Sequence, residues 1–194
     1  MSDLFHELVP DEYVVDVVKV MMKANWHTFQ VLTKRAERLE KMLSTKLKFA
    51  SQLRHIWWGV SVENKKHGLP RIDHLRRAPA AVRFLSIEPL LEDVGIFDLN
   101  KIHWVIAGGE SGHGARDMEE SWVIAIRDQC LKAKVPFFFK QWGGVQKSKN
   151  GRLLQGKTYD AMAPVTMNPV LSKIKREAEL MQVEKIASGY LIPI

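Results

Sequence analysis

The chain has 194 residues, of which 46% are hydrophobic and 26% are charged, and its net charge is +7. This size and composition are typical of one soluble globular domain, and no apolar run reaches the roughly 18 residues that a membrane span requires. The first residues, MSDLFHELVPDEYV, carry acids where a signal peptide carries basic residues, so we expect a cytoplasmic protein without a membrane partner.

Helical and strand-like patterns alternate along the chain as far as Gly144. Five strand-like segments are short and almost continuously apolar, which is typical of strands that are buried on both faces of a parallel sheet. Helical segments show apolar residues at the spacing of one helix face. The predicted helices cover 10–24, 36–47 and 119–134, with another around Ile72 and Leu75, and the predicted strands cover 28–35, 55–64, 83–93, 103–112 and 136–144.

This alternation predicts an α/β fold, with residues 1–144 forming an incomplete TIM-like barrel of parallel strands. After Gly144 the chain becomes a polar loop region as far as residue 168. Asn168 and Pro169 then suit the start of a helix that runs to about Ala187. We expect residues 145–194 to pack on the barrel through an apolar stripe formed by Leu171, Ile174, Ala178 and Met181.

Each predicted strand runs directly into polar residues. The C-terminal ends of parallel strands meet at one edge, where ligands bind in such folds, so we predict a binding site there. The alternative is that these residues only mark where each strand leaves the core. The candidate binding residues, none of which is assigned a catalytic or metal-binding role, are Lys34, Arg35, Glu63, Asn64, Glu88, Gly108, Gly109, Glu110, Ser111, Arg116, Lys140, Gln141 and Trp142.

The segment GGESGHGAR, residues 108–116, contains four glycines around Glu110. Glycines permit close backbone approach, and free N–H groups before the next helix can hold an anion or a carboxylate. A tight turn explains the same residues, and the motif matches neither the phosphate-binding loop nor the dinucleotide fingerprint. His113 is interpreted as an exposed loop residue. Among the tryptophans, Trp142 is the candidate for stacking on a base, while Trp57, Trp58 and Trp104 are assigned to the core.

Positive charge is concentrated in residues 34–83, which hold thirteen Lys and Arg residues and four Asp and Glu residues. This basic block, which includes Lys34, Arg35 and Arg38, predicts weak and salt-sensitive binding of nucleic acid. The competing interpretation is that these charges are the solvated faces of helices. Both interpretations stay open at this point.

Cys130 is the only cysteine of the chain. No disulfide within the chain is therefore formed, and no cluster or zinc site can be built from its cysteines alone. Its place in the helical pattern IRDQCLKAK indicates a small buried side chain rather than a nucleophile. We predict no metal site in this chain.

Five segments, in this order, resemble a family of uncharacterised proteins associated with phages and mobile elements. These segments are FQVLTKRAERL, WWGVSVEN, PAAVRFLSIEPLL, HWVIAGGESGHGARDM and VPFFFKQWGG, and the resemblance covers about residues 1–162. Longer members of that family are similar to radical S-adenosylmethionine enzymes, in which an N-terminal strand carries three cysteines that hold a [4Fe–4S] cluster.

The resemblance implies a barrel fragment of the radical-SAM type. This sequence lacks the three-cysteine segment, so S-adenosylmethionine and the [4Fe–4S] cluster are implied only for the longer relatives, and no cofactor is assigned to this chain. Two functions follow as expectations. The first is a ligand- or substrate-binding barrel fragment. The alternative is a non-catalytic binding protein of phage origin that engages nucleic acid or a host protein.

Overall fold

Five parallel strands form a single open sheet in the order β1–β2–β3–β4–β5, which is also their order along the chain. The computed structural model describes residues 3–166 and 168–188. Each strand is a short run of apolar, mostly β-branched or aromatic residues, the types that favour a pleated buried surface. The strands are β1 (Phe29–Thr33), β2 (Ile56–Ser61), β3 (Val82–Ile87), β4 (Trp104–Gly108) and β5 (Phe137–Gln141).

Four helices cover one face of this sheet, which we call the helix face. They are α1 (Asp11–Lys23), α2 (Ala36–Ser44), α3 (Lys65–Arg77) and α4 (Glu120–Ala133), with a 3₁₀ turn at Lys48–Ala50. Residues 88–103 join β3 to β4 without a helix. A short helix, α5 (Lys147–Asn150), and a longer one, α6 (Lys173–Ser188), follow β5.

The main core lies between the sheet and these helices. Alternate strand residues such as Trp58, Val60 and Leu85 point to the helix face, where they meet Leu39 of α2 and Val123 of α4. Side chains alternate between the two faces of a strand, so this packing directs every second strand residue to the opposite face.

The opposite face of the sheet carries a smaller aromatic cluster built on Trp57, Phe84 and Trp104. Residues 159–166, which we call the strap, cover this cluster. Trp104 donates its indole N–H to the Ala161 carbonyl at 2.8 Å, and Ala163 is buried against the rings. We call this side of the sheet the strap face.

The strap is tied to the chain at both of its ends. Beside β5, the Phe139 amide donates to the Tyr159 carbonyl at 2.9 Å. Just past the other end, the side chain of Asn168 donates to the Asn25 carbonyl at 2.8 Å. The strap therefore crosses the sheet from β5 towards the start of β1.

The prediction of an α/β fold with a parallel sheet is confirmed, and the five strands and the first four helices lie within or close to their predicted segments. Two predicted ends are wrong, since β3 ends at Ile87 rather than near residue 93 and α6 begins at Lys173 rather than at Asn168. The sheet is open rather than closed into a barrel. Helix α6 lies beside α1, but Ile174 and Met181 are 79% and 76% exposed, so the expected apolar stripe forms no buried face in the described part of α6. Residues 189–194 of the predicted C-terminal extension lie outside the described residues. None of the described helices is long and apolar enough to span a membrane.

Candidate functional site

The polar residues that follow the strands lie at one edge of the sheet, its C-terminal edge. All four strand pairs are parallel, so the five strand ends point the same way. The expectation that Lys34, Glu63, Glu88, Glu110 and Lys140 gather at a common edge is therefore confirmed. Their neighbours then decide what each of them can bind.

Four charged side chains follow one another along this edge. Val62, Ile87 and Phe139 pack in the core of the helix face. Lys140 follows Phe139 within β5 and therefore belongs to the opposite face, and Glu88 lies there too, since it accepts from Ser86 and lies against Gly108. Together with Glu63 and its partner Lys34, they form a polar row in the order Lys34, Glu63, Glu88, Lys140. Ser61 and Ser86, paired in register on neighbouring strands, lie one layer below it.

Glu63 pairs with two cations of the chain. Its carboxylate accepts from Arg71 at 2.7 Å and pairs with Lys34, and the same Arg71 nitrogen donates to the Ser61 carbonyl at 2.8 Å. Burial of Glu63 disfavours its charged form, but hydrogen bonds from Lys34 and Arg71 hold the pKa of the carboxyl below its usual value. Glu63 therefore organises two cations and has little capacity left for a ligand.

Glu88 is the less neutralised of the two carboxylates in the row. It accepts from the Ser86 hydroxyl at 3.0 Å, and the ammonium group of Lys140 lies 3.4 Å away. The Glu88 side chain is 17% exposed and that of Lys140 is 55% exposed, so both groups are accessible from the edge. A Cβ atom added to Gly108 would lie 2.6 Å from Glu88 Oε1, so this carboxylate lies directly against Gly108.

A cavity of about 620 Å³ adjoins the row on its β1 side. Leu32, Lys34 and Ser61 line it from the sheet, and Asp3 and His6 line it from the N-terminal segment. Volumes of roughly 300–1,000 Å³ are those of small-molecule sites. The edge therefore combines charged side chains with room for a ligand.

The glycines of the predicted binding loop serve mainly to bring two loops together. A Cβ atom on Gly109 would lie 1.9 Å from the Trp142 carbonyl oxygen, and one on Gly143 would lie 2.1 Å from that of Glu110. The Gly144 amide donates to the Glu110 carbonyl at 2.6 Å. The chains leaving β4 and β5 are thus in direct backbone contact, which only glycine permits. This contact accounts for Gly109 and Gly143 without a ligand.

Glu110, Ser111, Arg116 and Gln141 form a separate cluster beyond this contact. Arg116 holds the Glu110 carboxylate through two side-chain nitrogens, at 2.7 and 2.8 Å, and through its backbone amide at 3.0 Å. These bonds lower the pKa of Glu110 to about 2. Gln141 donates to the Ser111 hydroxyl. Glu110 is therefore paired with Arg116, and Gln141 with Ser111, within this cluster.

Three other candidate residues have local environments of their own. Trp142 is half-buried, with its ring edge-on to Phe139 at 4.8 Å and its indole N–H donated to the Leu153 carbonyl at 2.8 Å. Asn64 caps α3 by accepting from the His67 amide at 2.8 Å. Arg35 is exposed at the start of α2, and its guanidinium has no partner among the described residues.

The sequence analysis overlooked Arg71, Ser61 and Ser86. The two serines could have been found from strand alternation, because each lies two residues before a carboxylate of the polar row. No comparable signal pointed to Arg71, which lies on α3 and reaches Glu63 from the side.

Many cations of the basic block are paired inside the fold. Arg38 donates to the carbonyls of Phe5, His6 and Val9 and to Asp11. Arg77 pairs with Glu40 at 2.9 Å. The charges available to a partner are therefore fewer than the sequence count suggests. Further cations with partners in the chain are Lys46, Arg71, Arg76 and Arg83.

Cys130 is buried on α4, as predicted, and burial raises the pKa of its thiol to about 12. An iron–sulfur cluster needs several thiolates, so Cys130 does not fit a [4Fe–4S] site. Among residues 3–166 and 168–188, no group of three or more His, Cys, Asp or Glu side chains could hold a metal ion.

His113 is exposed, in agreement with its interpretation as a loop residue.

We expect the purified chain to form no stoichiometric iron–sulfur cluster when it is incubated anaerobically with iron and sulfide. Its one thiol is buried and protonated, and a single cysteine supplies at most one ligand. Iron and sulfide analysis with visible absorbance measures the outcome. About four iron and four sulfide per chain, with the brown colour of a cluster, would show that this expectation is wrong.

Comparison with known proteins identifies the family and little more. No curated protein and no solved structure matches the chain. The match to a family model covers residues 1–163, so it includes the sheet, the helix face, the polar row and most of the strap. The chain therefore belongs to the family described as Protein of unknown function (DUF5131).

Proposed function

We propose that this chain binds a small zwitterionic molecule at the C-terminal edge of its sheet, next to Glu88 and Lys140. The observation that carries the proposal is the state of Glu88, a partly buried carboxylate that faces an exposed ammonium at 3.4 Å. An amino group of a ligand would pair with Glu88, and a carboxylate of the same ligand would pair with Lys140.

The arrangement of the sheet supports this location. Sequential strand order with helices α1–α4 on one face is the arrangement of a barrel segment, whereas doubly wound sheets reverse their order and carry helices on both faces. We therefore propose a partial barrel of the radical-SAM type. In barrels the ligand lies at the C-terminal edge, which is where the polar row lies.

The strap also limits which kinds of ligand can bind. It covers the aromatic cluster of Trp57, Phe84 and Trp104 with Ala161 and Ala163. A ligand therefore has access to the polar row and to the adjoining cavity. The part of the strap face that carries the aromatic cluster is covered by the strap and is closed to a ligand. This arrangement favours a polar ligand held by charged groups over a large apolar one.

S-adenosylmethionine is the first ligand to test, because its methionyl part carries an amino group and a carboxylate. The row fits this part of the molecule through Glu88 and Lys140. Bound there, it would supply a reactive sulfonium. The chain's own residues do not fit the cluster that radical chemistry requires, so we propose binding and positioning of the ligand and assign no reaction.

Glu88→Gln is expected to weaken binding of S-adenosylmethionine about tenfold or more, because a charge-assisted hydrogen bond contributes about 1.5–3 kcal/mol. Glu120→Gln is the matched control, since Glu120 is exposed at the start of α4. Isothermal titration calorimetry would measure the dissociation constants, with methionine and adenosine as the two halves of the ligand. Methionine is expected to show the same dependence on Glu88, and adenosine is not.

Two results would contradict the proposal. One is the absence of saturable binding of both S-adenosylmethionine and methionine. The other is an equal loss in Glu88→Gln and Glu120→Gln, since that would place the ligand away from the row.

The second candidate function, binding of nucleic acid, rests on the cations that have no partner among the described residues. These include Arg35 at the C-terminal edge and Lys41 and Lys48 on and after α2. They are fewer than the block suggested, so we favour the small-molecule site. A partner protein is proposed only on the same exposed charges.

A further inference from the structure

A second cavity, of about 360 Å³, lies between α2 and α3 at the same edge of the sheet. Its lining carries more positive than negative side chains. Four of the lining side chains are permanently positive, and His74 lies beside them, whereas only Glu7 and Glu37 are acidic. The four cations are Lys34, Arg35, Arg38 and Arg71.

Two of these cations are held rigidly by groups behind the cavity wall. Arg38 is fixed by the main chain of the N-terminal segment and by Asp11 at 2.6 Å. Arg71 is fixed through one nitrogen by the Ser61 carbonyl and by Glu63. Neither Asp11 nor Glu63 lines the cavity, so their carboxylates secure the guanidinium groups without filling the space in front of them.

Arg35 and Glu37 occupy the exposed mouth of the cavity. No described residue pairs with the guanidinium of Arg35, which leaves its five N–H donors available. Lys34, Arg38 and Arg71 already pair with Glu63 or Asp11, so Arg35 is the lining cation whose charge has no partner among the described residues. Arginine groups held in fixed positions favour phosphate, whose oxygens accept paired N–H groups.

We propose that this cavity binds the phosphate group of a small phosphorylated molecule, with Arg35 and Arg71 as its main donors. The site does not include Glu88 or Lys140 and does not depend on the function proposed for them, although Lys34 and Arg35 line both cavities. A cavity of this volume, closed behind by α2 and α3, suits one phosphate with a small organic group. A nucleic-acid backbone would need cations continuing beyond the mouth.

The test is a titration with inorganic phosphate and with ribose 5-phosphate, followed by NMR on the full chain at constant ionic strength. Arg35→Gln is expected to weaken ribose 5-phosphate binding about tenfold, since it removes a charge-assisted pair. Glu37→Gln is expected to strengthen binding, because it removes a lining carboxylate. Arg54→Gln is the matched control, an exposed arginine next to the start of β2, and is expected to change nothing.

A single-stranded DNA oligonucleotide forms the last arm of the test. Saturable binding of both phosphates, with opposite effects of Arg35→Gln and Glu37→Gln, would support the proposal. The absence of saturable binding would overturn it, as would equal weakening by Arg35→Gln and Arg54→Gln. DNA binding tighter than that of ribose 5-phosphate, and lost in Arg35→Gln, would overturn it in favour of a nucleic-acid site.

Discussion

Gly109→Ala is expected to lower the free energy of unfolding by about 3 kcal/mol, near the upper end of the cost of overpacking a core. The added Cβ atom would lie 1.9 Å from the Trp142 carbonyl oxygen, and backbone cannot rotate away as a side chain can. The Gly109 amide is bonded to the Gln141 carbonyl at 3.0 Å, and the Trp142 amide to that of Gly151 at 3.1 Å. Urea denaturation followed by circular dichroism would measure the loss.

Gly114→Ala is the matched control in the same loop. Gly114 has a φ of +75°, which disfavours alanine, but no atom lies within 4 Å of the added Cβ. We expect a loss of about 1 kcal/mol from backbone strain alone. Losses of the same size in the two variants would mean that the contact between the loops after β4 and β5 does not stabilise the fold.

The contrast between these two glycines shows what the sequence could not reveal. The segment GGESGHGAR predicts a turn with close backbone approach, and the structure contains one. The atom that approaches Gly109 belongs to Trp142, which is 33 positions away along the chain. Local composition shows that space is needed at a glycine, but only the register of β4 and β5 shows whether a ligand or the chain itself occupies that space.

The strands and their common edge were predictable for a local reason. Each strand is a short, continuously apolar run, which is typical of a strand buried on both faces. Parallel strands also share one direction. The expectation that polar residues meet at one edge therefore depended on topology alone. Which of them are available to a ligand depended on partners that are distant in sequence. Arg71 neutralises Glu63 from a helix, whereas Glu88 has only Lys140 and Ser86 as partners among the described residues.

The basic block shows that the sequence also does not reveal which charges are paired in the fold. A count of charges over residues 34–83 predicts a strongly positive surface. The fold places Arg38 against the carbonyls of the N-terminal segment and Arg77 against Glu40. Pairs of this kind, about 30 residues apart, leave no pattern in the sequence. What remains is a local concentration of charge around one cavity rather than a continuous stripe.

The strap was not predicted, because residues 159–166 have neither a helical nor a strand-like period. Its role can be tested with Ala163→Asp, which is expected to lower the free energy of unfolding by about 3 kcal/mol, since it places an unpaired carboxylate among aromatic rings. Ala163 is 2% exposed and packs in the cluster with Trp57 and Trp104. The strap would detach while the helix-face core stays folded.

Detachment of the strap has a distinct spectroscopic result. Binding of the dye ANS is expected to rise and tryptophan emission to shift to the red, because Trp57 and Trp104 become exposed, while the far-ultraviolet circular dichroism is retained. Met162→Asp is the matched control, since Met162 is 44% exposed and its replacement should change stability by no more than about 0.5 kcal/mol. If Ala163→Asp proves as stable as Met162→Asp and binds no more dye, the strap does not bury the aromatic cluster. The strap face would then be open to ligands, and a ligand would not be confined to the C-terminal edge.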